Sequence, residues 1–413
     1  MDSLLSVGQK TRHFIEEEEK YSAHNYHPLP VVLEKGKGVF LWDVEGNRYF
    51  DFLSGYSAVN QGHCHPRIIA TLMEQAQKLT LTSRAFHSDA LGAYSKFITD
   101  YFGYEKVLPV NTGVEAVETA LKLCRRWGYL VKGIPENKAK ILVCEGNFHG
   151  RTSTVISFSS DPSAYRFFGP HTPGFEIIPF NDLDALAVAL QDKNTAGFLV
   201  EPIQGEAGVR VPDEGYLARA KKYCEEANVL FVADEIQTGL CRTGRLLACD
   251  HEAVRPDILI LGKALSGGVL PVSAVLADDD IMLTIKPGEH GSTYGGNPLA
   301  CQVAITSLKV LRDEGLAENA ELCGRLLRNE INRIGSPFIK LVRGKGLLNA
   351  ILIEHPNPDA SWEYCLSLKE NGLLAKPTHG DKIRFAPPLV ITPEQVIESV
   401  EIIEKSLSVL ETR

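Results

Sequence analysis

The sequence predicts an α/β protein: a mainly parallel sheet flanked by helices in a large domain, then a smaller α+β domain. Its 413 residues exceed what one hydrophobic core usually holds. From about residue 105, short apolar runs alternate with helical patterns. After about residue 300 the pattern becomes helical and then strand-like again. We expect the large domain at 51–300 and the small domain at 301–413, with an N-terminal segment, 1–50, that packs with the small domain.

The elements follow in chain order. Two strand-like runs within 39–53, joined by a turn at 45–47, predict a hairpin. The runs of the large domain are continuously apolar, so both faces of their sheet are expected to be covered by helices. These runs are 106–110, 141–144, 197–200, 229–233 and 258–261, and the helices between them include 114–127 and 214–227. The small domain is predicted from helices at 299–315 and 317–333, strand-like pieces at 341–353 and 382–386, and a closing helix at 393–411.

Composition excludes several classes of function. The net charge is −9 and no basic block stands out, so neither nucleic acid nor an anionic membrane is an expected partner. No apolar run approaches the length of a membrane span. Residues 16–19 form an acidic run, whereas a signal peptide would carry an apolar core and a transit peptide would be poor in acidic residues. Nine scattered cysteines without a CxxC pair indicate reduced thiols, and we expect a cytoplasmic protein unless a mitochondrial presequence has been removed.

A metal site is not expected. The best candidate is His63-Cys64-His65, but neighbouring side chains on a strand face opposite ways.

Polar residues follow each predicted strand of the large sheet. Asn-Thr-Gly follows 106–110, Glu-Gly-Asn-Phe-His-Gly-Arg follows 141–144 and Glu-Pro follows 197–200, while Asp-Glu-Ile-Gln follows 229–233 and Gly-Lys follows 258–261. In an open parallel sheet, ligands bind beyond the carboxyl ends of the strands. A site is therefore expected at this rim.

Lys263 stands at the end of the last apolar run, in LGKALSGG. A lysine whose pKa is lowered by burial can attack a carbonyl carbon, although most lysines at strand ends are merely surface residues. Asp234 follows an apolar run and is expected to be partly desolvated, so it requires a cation, a pyridinium nitrogen or an arginine, or backbone amides. Gln237 lies three residues later and can donate a hydrogen bond to a phenolate oxygen.

Two glycine-containing segments are candidate phosphate sites. Gly113 and Val114 begin a helix directly after a strand, where free amides and the helix dipole favour an anion. The second segment, 291–298, contains Ser292 and Thr293 and is equally compatible with a plain turn. Phe148 follows a strand and can either stack on a planar ring or belong to the core. The chain lacks the motifs GxGxxG and GxxxxGK[ST]. Their absence disfavours a nicotinamide-dinucleotide site and a P-loop nucleotide site.

Five further residues stay ambiguous from the residues alone. Arg151 and Arg384 can each bind a carboxylate through a guanidinium fork, or can be ordinary surface arginines. Glu206, Tyr26 and Tyr56 have no evident partner in the sequence.

With these residues in hand, the chain resembles the class III, fold-type I aminotransferases nearly end to end, and within them the branch that acts on ornithine. The segments that carry the resemblance to the class are NTGVEAVETALKL (111–123), ADEIQTG (233–239), LGKALSGG (261–268) and KPGEHGSTYGGNP (286–298). The frames around Tyr26, Tyr56, Glu206 and Arg384 resemble the ornithine branch more specifically: SAHNYHPLPVV (22–32), YSAVNQGHCHP (56–66), EPIQGEAG (201–208) and GLLAKPTHGDKIRFAPPL (372–389).

The resemblance implies pyridoxal 5'-phosphate (PLP) as cofactor. Lys263 would hold it covalently and act as the catalytic base, Asp234 would pair with its pyridine nitrogen, Gln237 would contact its ring oxygen, and Phe148 would pack on the ring. The phosphate would be bound by Gly113, Val114 and Ser292, and by Thr293 reaching from the other subunit of a homodimer.

The resemblance also implies substrates, namely L-ornithine and 2-oxoglutarate. Arg151 and Tyr26 would bind the α-carboxylate of ornithine, and Tyr56 would line its channel. Arg384 would bind the carboxylate next to the reacting carbon of glutamate, and Glu206 would cover Arg384 while ornithine reacts at its δ-amine. Two departures concern the channel: His149 stands where some members of the branch carry Trp, and Gly55 is smaller than the residue expected there.

Three other interpretations are kept. The nearest is another class III enzyme acting on a terminal amine, such as 4-aminobutyrate or acetylornithine. An intramolecular aminomutase would use the same scaffold without 2-oxoglutarate. A catalytically silent binding protein of the same fold is disfavoured because both Lys263 and Asp234 are present.

Overall fold

The computed structural model describes residues 7–378 and 380–411. Residues 1–6 of the predicted N-terminal segment and residues 379, 412 and 413 of the predicted small domain lie outside the described residues. Where the chain is described, no helix combines the length and the apolar character needed to cross a membrane.

The elements are numbered in chain order. The strands are β1 Leu33–Lys37, β2 Phe40–Asp43, β3 Arg48–Asp51, β4 Lys106–Val110, β5 Lys140–Cys144, β6 Phe175–Ile178, β7 Thr195–Val200, β8 Leu230–Asp234, β9 Ile258–Leu261, β10 Ser273–Ala277, β11 Ile339–Lys345, β12 Leu348–Ile353, β13 Leu373–Leu374, β14 Lys376–Thr378 and β15 Lys382–Phe385. The α-helices are α1 Gln9–Tyr21, α2 Ser54–Ser57, α3 Pro66–Lys78, α4 Asp89–Phe102, α5 Gly113–Leu130, α6 Ser153–Ile156, α7 Pro162–Tyr165, α8 Leu183–Ala189, α9 Tyr216–Glu226, α10 Asp279–Met282, α11 Pro298–Asp313, α12 Leu316–Ile334, α13 Ala360–Glu370 and α14 Pro393–Ser406.

A seven-stranded sheet forms the centre of the described large region, in the order β4-β10-β9-β8-β7-β5-β6. Neighbouring strands from β9 to β6 are parallel, whereas β10 is antiparallel to both β4 and β9. The central strands β7 and β8 are buried along their whole length, since helices pack on both faces. The predicted mainly parallel sheet flanked by helices is therefore observed.

The start of α5 illustrates how the chain leaves the sheet. Thr112 caps the helix by accepting a hydrogen bond from the backbone N–H of Glu115, whose carboxylate in turn accepts from the backbone N–H of Thr112. The apolar side chains Val117, Ala120, Leu121 and Cys124 then recur at helical spacing and are buried against the sheet. This cap places the positive end of the helix beside the end of β4.

Two smaller sheets lie outside the central one. Strands β11, β12, β15 and β14 form an antiparallel sheet in that order. Strands β1 to β3 form a meander to which β13 is added in parallel, so the N-terminal segment shares a sheet with the C-terminal part of the chain. This pairing supports the proposed association of 1–50 with 301–413. Helix α11 crosses the proposed boundary at 300 and packs against α3 and α4, and the division itself stays a prediction.

Candidate active site

A cavity of about 140 Å³ lies at the carboxyl ends of the parallel strands. Its wall is built from residues that follow the strands, as expected for an open parallel sheet. They are Gly113 and Val114 after β4; Phe148, His149 and Gly150 after β5; Glu201 and Glu206 after β7; Asp234, Ile236, Gln237 and Thr238 at the end of β8; and Lys263 after β9. Most of the residues singled out from the sequence thus share this inner cavity.

Lys263 faces the inner cavity from a strained position. Its φ of 44° lies in the left-handed region, which residues other than glycine seldom adopt without a functional reason. Burial lowers the pKa of the Lys263 amine, although the nearby carboxylates of Glu206 and Asp234 oppose the shift. The lowered pKa enlarges the neutral fraction of the amine, which is the form that attacks a carbonyl or accepts a proton.

Asp234 is held at the end of β8 and is almost completely buried. Its Oδ2 lies 2.6 Å from Nδ1 of His149, and its Oδ1 accepts a hydrogen bond from the Ile236 backbone N–H. Burial alone would lower the pKa of His149, but the hydrogen bond and the charge of Asp234 outweigh it and raise that pKa. The sequence did not predict this imidazole–carboxylate pair, since only the fold brings the two residues together.

Glu201 is a second buried carboxylate at the inner cavity. Its Oε2 accepts a hydrogen bond of 2.9 Å from the Phe148 backbone N–H. Burial raises the pKa of Glu201 to about 7, against the effect of the nearby imidazole of His149. From the sequence, Glu201 was expected at the rim, in the Glu-Pro step after a predicted strand, without a chemical role. The sequence feature that could have indicated a functional role for Glu201 is its position directly after the buried strand β7.

The start of α5 and the loop after β5 pack tightly together. Gly150 has a φ of 129°, and a Cβ there would lie 2.4 Å from Cγ2 of Val114. Any larger residue at position 150 would displace the first turn of α5, so the glycine is required by this close approach.

The second glycine-containing loop reaches the same helix start. The Asn111 side-chain amide donates a hydrogen bond of 2.8 Å to Oγ of Ser292. Thr293, the next residue, is exposed and does not line the inner cavity of its own chain. The structure therefore brings Ser292 near the predicted phosphate site and leaves Thr293 facing outward.

The inner cavity fits a flat, phosphate-bearing aldehyde such as PLP. It combines a lysine of lowered pKa, a buried carboxylate for a ring nitrogen and the positive end of α5 for a phosphate. Gln237 lines the same cavity, and its Nε2, which donates to Glu206, carries a second N–H that can donate to a ring oxygen.

Glu206 and Arg384 form an ion pair at the edge of the inner cavity. Oε1 of Glu206 lies 2.8 Å from Nη1 of Arg384 and also accepts a hydrogen bond of 3.1 Å from Gln237. Arg384 stands on β15 and is 2% exposed, and its guanidinium lies 5.1 Å from the ring centre of Tyr56. Burial would raise the pKa of Glu206, but the charge of Arg384 and the hydrogen bonds from Gln237 and Arg384 lower it, which favours the carboxylate form of Glu206.

Tyr56 reaches this pair from an unusual turn. The four residues Ser54 to Ser57 all have positive φ, between 51° and 71°. Left-handed backbone costs about 1–2 kcal/mol at each residue other than glycine. The turn is held by Oγ of Ser54, which donates a hydrogen bond of 2.6 Å to the carbonyl of Ala386, two residues beyond Arg384. This hydrogen bond links the turn that carries Tyr56 to the chain just after Arg384.

A larger outer cavity of about 570 Å³ adjoins the inner one, and both are lined by Phe148, His149, Gly150 and Glu206. Arg151 lies in its wall, with its guanidinium 5.4 Å from the ring centre of Phe148. Tyr26 is 75% exposed on the segment after α1 and lines neither cavity. The structure thus brings Arg151, but not Tyr26, into the cavity wall within one chain.

Comparison with known proteins gives consistent matches. The aminotransferase class-III family matches residues 21–407. The mitochondrial ornithine aminotransferase of Rattus norvegicus is 64% identical over 397 residues, which cover 96% of this chain and 90% of the rat protein.

Solved structures agree with these matches. An ornithine aminotransferase of Toxoplasma gondii, described with partial occupancy of PLP at its active site, superposes with a TM-score of 0.95 at 52% identity and covers 97% of this chain and 95% of its own. An acetylornithine aminotransferase of Elizabethkingia anophelis superposes with a TM-score of 0.89 at 59% identity, over 96% and 99% of the two chains.

Proposed function

The chain belongs to the aminotransferase class-III family, and we propose that it transfers the δ-amino group of L-ornithine to 2-oxoglutarate. Family membership confirms the predicted PLP-dependent aminotransferase and its fold of type I. The products are glutamate and glutamate-5-semialdehyde, which cyclises to pyrroline-5-carboxylate. The two substrates react in turn at one site, so the kinetics are ping-pong.

PLP, when bound, supplies a carrier for the amino group and an electron sink for the carbon that loses its proton. Lys263 holds the cofactor and, as the neutral amine, moves the proton at the δ-carbon of ornithine. Asp234 pairs with the ring nitrogen, and the His149 side chain fixes the orientation of that carboxylate. Gln237 would donate to the ring oxygen, and Phe148 would pack on the ring face.

The backbone N–H groups of Gly113 and Val114 at the start of α5 would bind the cofactor phosphate. Ser292, hydrogen-bonded to Asn111, lies next to this position. Thr293 contacts the phosphate of the other subunit in a homodimer, a role that its exposure on one chain supports.

The Glu206–Arg384 pair is the observation that supports a donor reacting at a terminal amine, and the similarity to ornithine aminotransferases narrows that donor to ornithine. Ornithine presents its δ-amine, so no carboxylate lies next to its reacting carbon. Without Glu206, the buried charge of Arg384 would then be unpaired, at a high cost in free energy. Glu206 satisfies Arg384 at 2.8 Å during this half of the reaction. Glutamate and 2-oxoglutarate do carry a carboxylate at that place, and it replaces Glu206 on Arg384.

The other end of ornithine is bound in the outer cavity. Arg151 lies in its wall and binds the α-carboxylate through its guanidinium fork. Tyr26 assists from the segment after α1, and Tyr56 lines the path between the carboxylate and the reacting amine.

An acetylornithine aminotransferase is the second candidate function. The Elizabethkingia anophelis protein of that description is 59% identical to this chain over nearly its whole length. That similarity supports acetylornithine as the alternative amine donor. The same pair of residues, Glu206 and Arg384, would serve its 2-oxoglutarate half-reaction.

The substrate is tested by steady-state assays with 2-oxoglutarate and three amine donors: ornithine, acetylornithine and 4-aminobutyrate. We expect kcat/KM to be highest for ornithine by at least about tenfold, since loss of one hydrogen-bonded or charged contact costs about 1.5–3 kcal/mol. If kcat/KM were higher for acetylornithine or 4-aminobutyrate, that donor would be the substrate and the assignment to ornithine would be wrong. Transfer without added 2-oxoglutarate would indicate an aminomutase.

We also propose the cytosol as the compartment. All nine cysteines are free thiols, which supports a reducing environment. The rat and Drosophila melanogaster relatives are described as mitochondrial. Fractionation of cells that express the full-length protein distinguishes the two compartments.

A further inference from the structure

The wall of the outer cavity is markedly basic. Arg151, Arg210, Arg343 and Lys382 line it, against two carboxylates, Asp161 and Glu206. Of the two, Glu206 is already paired with the buried Arg384. An anion in this cavity therefore meets more positive than negative charge before it reaches the inner cavity.

Arg210 and Arg343 are two cations of this wall that the mechanism does not use. The described residues offer ion pairs to Lys382 and Arg384, through Asp381 and Glu206, but none to Arg210 or Arg343. Burial and the charge of Arg210 lower the pKa of Arg343, against the opposing charge of Asp381, which itself pairs with Lys382. Because neither guanidinium forms an ion pair among the described residues, the two repel each other across this wall, and an anion between them relieves that repulsion.

Both guanidiniums are held in place. Nε of Arg343, on β11, donates a hydrogen bond of 2.8 Å to the carbonyl of Gly208. Arg210 pairs through its backbone with Gln204, and its guanidinium lies 5.6 Å from the ring centre of Phe180. The hairpin 204–210 therefore links both arginines to Glu206 at its tip. Side chains fixed in this way lose less freedom when they bind a ligand.

We propose that Arg210 and Arg343 form an anion-binding subsite on the wall of the outer cavity, which receives a carboxylate of a dicarboxylate substrate on its way to Arg384. The ligand class is a short dicarboxylate, such as 2-oxoglutarate or glutamate. Ornithine carries a net positive charge, so the subsite attracts the amino acceptor and not the amine donor. This inference rests on the proposed function only for the identity of the two substrates.

The subsite makes opposite predictions for the two substrates. In the Arg210→Gln/Arg343→Gln double variant, kcat/KM for 2-oxoglutarate is expected to fall by about three- to tenfold at low salt, because two charges that attract a dianion are removed. The deficit should shrink towards the wild-type value at about 1 M salt, where exposed charges are screened. For ornithine, kcat/KM should stay unchanged or rise.

Matched variants separate charge at the subsite from other effects. Arg219→Gln removes the same charge from α9, away from the outer cavity, and is expected to behave as the wild type. Arg210→Lys keeps the charge and should retain most of the rate with 2-oxoglutarate. Equal losses for ornithine and 2-oxoglutarate, an equal loss in Arg219→Gln or a deficit that does not depend on salt would each overturn the proposal.

Binding of glutarate, a dicarboxylate without a reactive carbonyl, gives a readout that needs no turnover. Titrated against the cofactor absorbance of the holoenzyme, its dissociation constant should rise by a similar factor in the double variant. A wild-type enzyme that binds glutarate through these arginines but does not use ornithine would refute the proposed function alone. An enzyme that uses ornithine, with glutarate binding equal in the wild type and the double variant, would refute the subsite alone.

Discussion

Replacing Lys263 with Ala is expected to abolish turnover and the absorbance of the lysine-bound cofactor. In the proposed mechanism this amine holds the cofactor and moves the proton at the reacting carbon, and general acid–base catalysis alone contributes about 10²–10⁴-fold. We therefore expect the rate of ornithine consumption to fall by at least about 10⁴-fold. The measurement is a single-turnover rate together with the absorbance spectrum of the purified variant.

A surface lysine provides the control for this variant. Lys222→Ala removes an exposed amine that pairs with Glu226 on α9, and it should keep the wild-type spectrum and rate. An intact absorbance band in Lys263→Ala would contradict the assignment of this residue. The lowered pKa of the free Lys263 amine adds a pH signature. Reconstitution of the cofactor-free protein should reach its full rate at a lower pH than the ordinary pKa of lysine, because the neutral amine is already populated there.

Replacing Glu206 with Ala is expected to change the preference of the enzyme between its two kinds of amine donor. Arg384 loses the carboxylate that lies 2.8 Å away and becomes available to the carboxylate of an α-amino acid. Single-turnover rates with glutamate or alanine should rise relative to the rate with ornithine, by about one to two orders of magnitude in the ratio. This range corresponds to the 1.5–3 kcal/mol of a hydrogen bond to a charged group.

Two further variants accompany Glu206→Ala. Glu206→Gln keeps the shape of the side chain but not its charge, so it should shift the ratio in the same direction and by less. Glu225→Ala removes an exposed carboxylate from α9 and should leave the ratio unchanged. If the rates with alanine and glutamate rise no more than the rate with ornithine, Glu206 does not control access to Arg384.

The sequence predicted most of the sheet because its strands are continuously apolar. Strands β4 and β9 have the predicted bounds, and β5, β7 and β8 differ from theirs by at most two residues at an end. Strands β6 and β10 were not predicted. Strand β6 is short and half exposed, and β10 is rich in small residues, so neither stands out as a long apolar run. Strand β10 lies antiparallel between β4 and β9, and this pairing depends on tertiary contacts that local sequence patterns do not encode.

Part of the candidate site also followed from the sequence. Residues after parallel strands must meet at one rim, and this rule brought Lys263, Asp234 and Gly113 together. The ion pair between Glu206 and Arg384 joins residues 178 positions apart, and only the family resemblance implied it. The rule could not reveal that His149 reaches Asp234, because that contact depends on side-chain packing.

The turn at Ser54–Ser57 shows another limit of the sequence. Gly55 is its single glycine, yet Tyr56 and both serines also adopt positive φ. Such strain is stabilised by contacts from the rest of the fold and leaves no local pattern. In the sequence, Gly55 stands out only for its small size.

Transfer of the δ-amino group, and not the α-amino group, is the central claim, and isotope tracing tests it most directly. Ornithine labelled with ¹⁵N at either the δ or the α position is incubated with the enzyme and 2-oxoglutarate, and the glutamate formed is analysed by mass spectrometry. The account predicts labelled glutamate from δ-labelled ornithine and unlabelled glutamate from the α-labelled form. Labelled glutamate from the α-labelled substrate would contradict the pairing of Glu206 with Arg384 during the ornithine half-reaction.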